Sequence, residues 1–297
     1  MKKAVIYCFS GTGNTAYVAK LISDQLSKAI TDCQVIPMEE CTLLGKPIQV
    51  ERGTLIGIGF PVHAMNAPKL VYDFLALLPS GRFPYFSFKT AGDPLFNAGS
   101  NLPLRKQLGI KGWRCLHESL FVMPSNMASK NAPEKVKQLA LIAHKQASKV
   151  GEQILNGTMV REPQTALTPL FAIFSRLETL GAKKNSSKWR VKDNCIHCGK
   201  CAANCPTQNI TRSGNNLIFG DNCIWCLRCS FNCPTQALVI GNKILARLLA
   251  EPYNIAKIVA DESITADFFG ENTLRTYRRY KKYWQNQGLI DTAVTDR

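Results

Sequence analysis

The chain has 297 residues, 45% of them apolar, which fits two ordinary globular domains. No apolar run approaches the roughly 18 residues of a membrane span. The short apolar start leads into a glycine-rich loop rather than a signal-peptide cleavage site, so we expect a cytoplasmic protein. The formal net charge of +16 favours an acidic redox protein as partner, with peripheral membrane contact as a further possibility, and we expect no nucleic acid.

The first predicted element is a buried strand followed by a loop that suits a phosphate group. Residues 4–9 form a continuous apolar run, which is typical of a parallel strand covered on both faces. A helical pattern begins after the loop, so backbone N–H groups, the helix dipole and three hydroxyls would face an anion. A tight turn without a ligand is the alternative, since neither dinucleotide nor P-loop spacing is present. The loop consists of Ser10, Gly11, Thr12, Gly13, Asn14 and Thr15.

Further apolar runs alternate with amphipathic segments, which predicts a doubly wound α/β fold. The apolar runs are 34–38, 54–60, 85–90 and 119–123, and the amphipathic segments are 67–78, 101–109 and 133–156. Ligands of such sheets lie beyond the carboxyl ends of the strands, so the loops after the first, third and fourth strands should meet at one site. Its candidate residues beyond the glycine-rich loop are Phe60, Pro61, Val62, His63, Ala64, Met65, Thr90, Ala91, Gly92, Asp93 and Phe96.

The glycine-rich loop resembles the phosphate loop of flavodoxins, S/T-x-T-G-N-T, residue for residue. The resemblance implies that residues 1–158 form a flavodoxin-like domain that binds FMN. Flavodoxins usually place a tryptophan and a tyrosine against the flavin ring, whereas the later two loops contain neither and offer Phe60, His63, Met65 and Phe96 instead. His63 could hydrogen-bond near the flavin or be an ordinary loop histidine. Asp93 is interpreted as a turn residue before Pro94 rather than as a catalytic acid.

Residues 159–188 are predicted to link this domain to the rest of the chain. Glycine, proline and threonine at 157–166 end the domain. Thr168 and Pro169 then begin a short amphipathic helix, which would pack against one domain or, alternatively, lie on a membrane surface. Its apolar face consists of Leu170, Phe171, Phe174, Leu177 and Leu180.

Two runs of four cysteines share the spacing C-x2-C-x2-C-x3-C-P and recur with their neighbours at an offset of about 28 residues. This spacing delivers three thiolates to one iron–sulfur cube and the fourth to its neighbour. Zinc is the alternative, but it has no use for a third cysteine at i+6, and disulfides conflict with a cytosolic chain. We predict Cys195, Cys198, Cys201 and Cys233 as the ligands of cluster 1, and Cys223, Cys226, Cys229 and Cys205 as the ligands of cluster 2.

The cysteine runs resemble those of the bacterial two-cluster ferredoxins, which implies a small α+β domain over 189–241 with two [4Fe-4S] clusters. The two domains in this order resemble the flavodoxin–ferredoxin fusion proteins of anaerobic bacteria and archaea, which are regarded as electron carriers. The resemblance implies relay of low-potential electrons between two clusters and an FMN and on to a protein partner. The alternative is an FMN-dependent reductase of a small acceptor such as a quinone, fed by its own clusters. We single out no catalytic residue, and a homodimer is one option for the open oligomeric state.

Residues 242–297 are predicted to form a helical tail rich in basic and aromatic residues. Tyr277, Tyr280 and Trp284 have the spacing of a single helix face. They would either pack as an aromatic seam on the body of the protein, with the neighbouring lysines and arginines solvated, or help to dock an acidic partner. The resemblance to the fusion proteins does not extend to this tail.

Overall fold

The computed structural model describes residues 2–48, 50–63, 65–95, 100–127, 131–162, 181, 184–271 and 275–291. The predicted linker helix from Thr168 to Leu180 lies outside the described residues. The candidate site residues Ala64 and Phe96 also lie outside them.

The first domain is built around a five-stranded sheet in the order β2-β1-β3-β4-β5. All neighbouring strands are parallel, and this order is that of the flavodoxin-like doubly wound fold. The predicted α/β class is therefore confirmed. The strands are β1 Lys3–Cys8, β2 Asp32–Pro37, β3 Thr54–Pro61, β4 Pro84–Ala91 and β5 Arg114–Val122.

Helices cover both faces of this sheet, so the side chains of a central strand enter two separate cores. Ala4 and Ile6 of β1 pack on the side of α1 and α5, whereas Val5 and Tyr7 pack on the side of α3 and α4. This alternation explains the continuous apolar run in β1. The helices are α1 Asn14–Leu26, α2 Met38–Thr42, α3 Lys69–Leu77, α4 Asn101–Ile110 and α5 Pro133–Leu155.

Strand β5 begins well before the apolar run at 119–123. The apolar pattern misses its start because two buried polar residues precede the run. His117 and Glu118 are each 1% exposed. The His117 ring hydrogen-bonds the Gln153 side chain at 3.0 Å, and Glu118 accepts two hydrogen bonds from Arg105. Partners on α4 and α5 hydrogen-bond Glu118 and the His117 Nε2, which makes these polar side chains tolerable in a buried strand, whereas the His117 Nδ1 has no partner among the described residues.

The cysteine-rich domain is a pair of similar halves. Two short helices, α6 Lys200–Ala203 and α7 Arg228–Phe231, each contain the third cysteine of their run, Cys201 and Cys229. The backbone repeats as well, since equivalent residues adopt left-handed conformations in both halves: His197 and Trp225, Gly199 and Leu227, Gln208 and Gln236. Two antiparallel ribbons complete the domain, β6 Trp189–Val191 with β9 Leu238–Ile240 and β7 Ile210–Ser213 with β8 Asn216–Phe219.

The tail packs back onto the first domain. Tyr280 and Trp284 are buried in a cluster with Val122 and Leu139, so these aromatic residues form the packed seam that the sequence predicts. In the parts of the chain that the structure describes, no helix is long and apolar enough to cross a membrane. The tail helices are α8 Lys243–Leu248, α9 Ile255–Ala260, α10 Phe268–Glu271 and α11 Arg275–Asn286.

Candidate functional site

A cleft at the carboxyl edge of the sheet brings together the three predicted loops. It encloses about 780 Å³, including the part that is open to solvent. The segment after β5, from Met123 to Met127, forms a further side that the sequence did not predict. The predicted residues that line the cleft are Ser10, Gly11, Thr12, Asn14, Thr15, Pro61, Val62, His63, Thr90, Ala91 and Gly92.

The structure corrects the role expected for Phe60 and separates three other candidates from the cleft lining. Phe60 is fully buried and packs with α3, because strand alternation directs it into the core. Gly13 shapes the loop with φ 100°, and Met65 adopts φ 66° in the turn after β3. Asp93 accepts a hydrogen bond from the backbone N–H of Leu95 at 2.8 Å, as a turn residue does, and also pairs with Arg279.

The start of α1 has the properties of an anion site. Gly13 caps the helix without a side-chain hydrogen bond, so the N–H groups of the first turn are available to a ligand. The Ser10 hydroxyl is buried and has no hydrogen-bond partner among the described residues. Thr15 is held by a hydrogen bond to the Thr90 hydroxyl at 2.8 Å. A bound phosphate would supply the acceptor that Ser10 lacks, so the residues present fit the phosphate of a flavin nucleotide.

Asn14 holds the loop in place rather than facing an anion. Its amide donates to the carbonyl of Pro124 at 3.0 Å and to the Tyr253 hydroxyl at 2.8 Å. Asn126 completes this group by donating to the Thr12 hydroxyl at 2.9 Å. Burial raises the pKa of Tyr253 above its ordinary value, so the hydroxyl stays neutral. The tail therefore supports the phosphate loop, through a tyrosine that lies far away in sequence and that the loop motif could not indicate.

His63 lies between the cleft and the cysteine-rich domain. Its backbone forms two hydrogen bonds with Asn66, at 2.8 and 2.9 Å, which close a tight turn. Burial lowers the pKa of its side chain to about 4, and a hydrogen bond to the backbone of Ile224 opposes this shift. His63 is thus neutral near pH 7 and is held at the junction of the two domains, rather than in a free surface loop.

The eight cysteines line two cavities, with the fourth cysteine of each run in the cavity of the other run. Among the described residues, no three His, Cys, Asp or Glu side chains are placed to share a single metal ion, whereas a four-iron cube occupies the space between its cysteines. These are the groupings predicted for the two cubes, and the individual ligand assignments remain a prediction. Cavity 1 is lined by Cys195, Cys198, Cys201 and Cys233, and cavity 2 by Cys205, Cys223, Cys226 and Cys229.

Backbone N–H groups point at cysteine sulfurs in both cavities. The N–H of Asn209 donates to Cys205 Sγ at 3.2 Å, and the N–H of Ala237 donates to Cys233 Sγ at 3.3 Å, at equivalent positions of the repeat. Burial, with repulsion from neighbouring cysteines as a smaller cause, raises the pKa of Cys226 to about 12. Such buried thiols need compensating positive charge to ionise, which bound iron would provide.

The loop around cavity 2 forms one wall of the cleft. Trp225, Cys226 and Leu227 line the cleft together with the phosphate loop. A Cβ atom on Gly11 would lie 2.1 Å from the carbonyl oxygen of Cys226, so the two backbones are in direct contact. Arg228 of α7 donates two hydrogen bonds to the carbonyl of Ser10, at 3.2 and 2.7 Å. Cavity 2 therefore adjoins the cleft, and none of the residues described as lining cavity 1 does so.

Residues 187–234 match the family of 4Fe-4S dicluster domains, which supports iron–sulfur clusters in the cysteine-rich domain and redox electron transfer as its general role. No curated protein matches the chain.

Several solved structures are similar to part of this chain. One is a flavodoxin from the domain Archaea, with 17% identity, coverage of 52% of this chain and 99% of that one, and a TM-score of 0.35. Another is an azoreductase from Bacillus anthracis, with 12% identity, coverage of 52% of this chain and 100% of that one, and a TM-score of 0.36. A third is the apo form of an NADH:FMN oxidoreductase, with 14% identity, coverage of 55% of this chain and 92% of that one, and a TM-score of 0.37. At these scores the fold assignment rests on the strand order of the sheet.

Proposed function

Because the chain joins a flavodoxin-like domain to a 4Fe-4S dicluster domain, we propose that it relays low-potential electrons between two [4Fe-4S] clusters and an FMN, and on to a protein partner. The observation that supports this proposal is the shared wall, since the loop around cavity 2 also lines the cleft at the phosphate loop. Joining both sites in one chain makes their encounter intramolecular, at an effective concentration of roughly millimolar or more.

The residues of the cleft suit FMN in chemistry as well as in position. Ser10 and the first-turn N–H groups of α1 would hold the phosphate. Val62, His63 and Gly92 would lie along the rest of the nucleotide, because they line the same cleft beyond the phosphate loop. When bound, FMN supplies one- or two-electron chemistry, whereas a [4Fe-4S] cluster passes one electron at a time.

The different surroundings of the two cavities support an order for the proposed relay. Cys198 of cavity 1 is exposed, and Ile196 beside it is 60% exposed. Lys200 and Arg212, which also line cavity 1, are exposed as well. We infer that an acidic redox partner docks at cavity 1, that one electron passes between partner and cluster 1 at each encounter, and that cluster 2 connects cluster 1 with the FMN. Each cluster gains one electron and passes one on, so the relay balances whether electrons run from the partner to the FMN or from the FMN to the partner.

Stopped-flow reduction under anaerobic conditions tests this function. A chemical reductant would be mixed with the holoprotein, and cluster and flavin absorbance would be followed at several protein concentrations. We expect clusters and flavin to exchange electrons at a rate that does not depend on protein concentration, because exchange occurs within one molecule. A rate proportional to protein concentration, or no exchange, contradicts the relay. Repeated turnover of a small quinone by the reduced protein would favour the alternative, a reductase.

A further inference from the structure

We propose that Trp225, a residue of the dicluster domain, forms the aromatic wall of the FMN site in the other domain. This inference rests on the proposed function. Among the described residues that line the cleft, Trp225 is the one with a Phe, Tyr or Trp side chain, and the others are small, aliphatic or polar apart from the His63 ring. The flavin ring is flat, aromatic and largely apolar, and an aromatic side chain is well suited to cover one face of it.

The internal repeat shows that this tryptophan is not required by the cluster loop itself. His197 occupies the equivalent position in the first half, and both residues have φ 52°, in the left-handed region that side chains with a Cβ rarely adopt. His197 is exposed, and its Nδ1 contacts the carbonyl oxygen of Asn215 at 2.9 Å. Trp225 instead lines the cleft. The two loops share a backbone, whereas the indole is present in the half that meets the flavodoxin-like domain.

The backbone N–H of Trp225 is paired, whereas its side-chain N–H is not paired with any described residue. Its backbone N–H donates to Cys223 Sγ at 3.4 Å, which fixes the residue against cavity 2. Its side-chain Nε1 is buried and has no hydrogen-bond partner among the described residues. Buried N–H groups are normally paired with the protein, with water or with a ligand.

The position of Trp225 between Cys223 and Cys226 means that one loop serves both cofactors. The same few residues would bind cluster 2 through their thiols and cover the FMN through the indole. The contact between Gly11 and the carbonyl of Cys226 holds this loop against the phosphate loop. The flavin site is consequently complete only when the dicluster domain is folded against the first domain.

Flavin titration of the cluster-loaded protein tests this assignment. Flavin-free protein with its clusters intact would be titrated with FMN and with riboflavin, which has the ring but no phosphate. We expect Trp225→Ala to raise the Kd of both by the same factor, about tenfold or more, because ring stacking is lost. Trp225→Phe should stay within about threefold of the wild type, since it retains a ring. Iron and sulfide contents should be unchanged.

Three further variants make the result specific. His197→Ala, at the equivalent loop position, should leave both Kd values unchanged. Ser10→Ala should raise the Kd of FMN but not that of riboflavin. Trp225→Leu fills much of the space of the indole without supplying a ring. If this variant loses affinity for both flavins as Trp225→Ala does, and keeps its iron, collapse of the loop is excluded as the cause. Unchanged Kd values in Trp225→Ala, or a loss for FMN alone, overturn the inference. A wild-type protein that holds its clusters and binds neither flavin overturns the proposed function as well.

Discussion

At the scale of single residues, Gly11 brings the two domains into contact. A Cβ at this position would lie 2.1 Å from the carbonyl oxygen of Cys226 and 3.1 Å from its Cβ. The nearer atom belongs to the backbone, which cannot move aside as a flexible side chain can. Gly11 is thus required for close approach, whereas Gly13 two residues later is required for its φ of 100°.

We predict that Gly11→Ala lowers the free energy of unfolding by about 1–3 kcal/mol, as overpacking typically does, and slows electron exchange between clusters and flavin. Gly109→Ala is the matched control, because nothing lies within 4 Å of a Cβ at that helical position. The control should be neutral or slightly stabilising. Thermal unfolding of the two variants, followed by stopped-flow reduction, gives the comparison. Equal stability of Gly11→Ala and wild type would contradict this role of the glycine.

The sequence predicts the residues of the phosphate loop better than it predicts what each of them does. The motif from Ser10 to Thr15 places the loop in the cleft, because spacing alone specifies a strand, a loop and a helix. Asn14 belongs to that motif, yet its amide contacts Pro124 and Tyr253. Those partners lie after β5 and in the tail, and no local pattern contains them.

At the scale of secondary structure elements, helix α7 connects the domains through Arg228. Its guanidinium donates to the carbonyl of Ser10, pairs with Glu39 of α2 and lies 5.5 Å from the centre of the Phe9 ring. The side chains of Arg228 and Glu39 are only 18% and 12% exposed. A fork-shaped guanidinium can make these contacts together, which the point charge of a lysine cannot.

We predict that Arg228→Gln destabilises the protein by about 2–4 kcal/mol, because it leaves the Glu39 carboxylate buried without its partner. The double variant with Glu39→Gln should recover part of this loss, since no unpaired charge remains. Lys20→Gln serves as the control: its pair with Asp24 is exposed and should contribute less than about 1 kcal/mol. Denaturant unfolding measures all three. If Arg228→Gln lowers the free energy of unfolding no more than Lys20→Gln does, the Arg228–Glu39 pair does not hold the domains together.

The elements that the sequence predicts well are those whose burial pattern is local. The runs at 4–9 and 54–60 identify β1 and β3, because a strand covered on both faces is apolar along most of its length. The run at 85–90 identifies β4 although Ser87, Lys89 and Thr90 within it are buried polar residues. The start of β5 is hidden by His117 and Glu118, whose partners lie on separate helices. The short helices and ribbons of the dicluster domain surround the cysteine runs and depend on left-handed backbone turns, which produce no periodic apolar pattern.

At the scale of the whole molecule, the tail and the dicluster domain approach the same edge of the sheet. Tyr253 contacts the phosphate loop, and Tyr280 of α11 donates to the carbonyl of Gly92 in the loop after β4. The order of the two domains is evident from the sequence, since each has its own motif. Their arrangement is not, because Gly11, Arg228 and Tyr253 are individually unremarkable residues whose partners lie in distant segments.

The central claim is that one chain holds two four-iron clusters beside a flavin nucleotide, and cofactor analysis tests it most directly. The protein would be purified or reconstituted under strictly anaerobic conditions, and its iron, acid-labile sulfide and released flavin would be counted per chain. We predict about eight irons, about eight sulfides and about one FMN. A folded, reconstituted protein that contains zinc instead of iron and sulfide, or that retains its clusters but no flavin, would contradict the account.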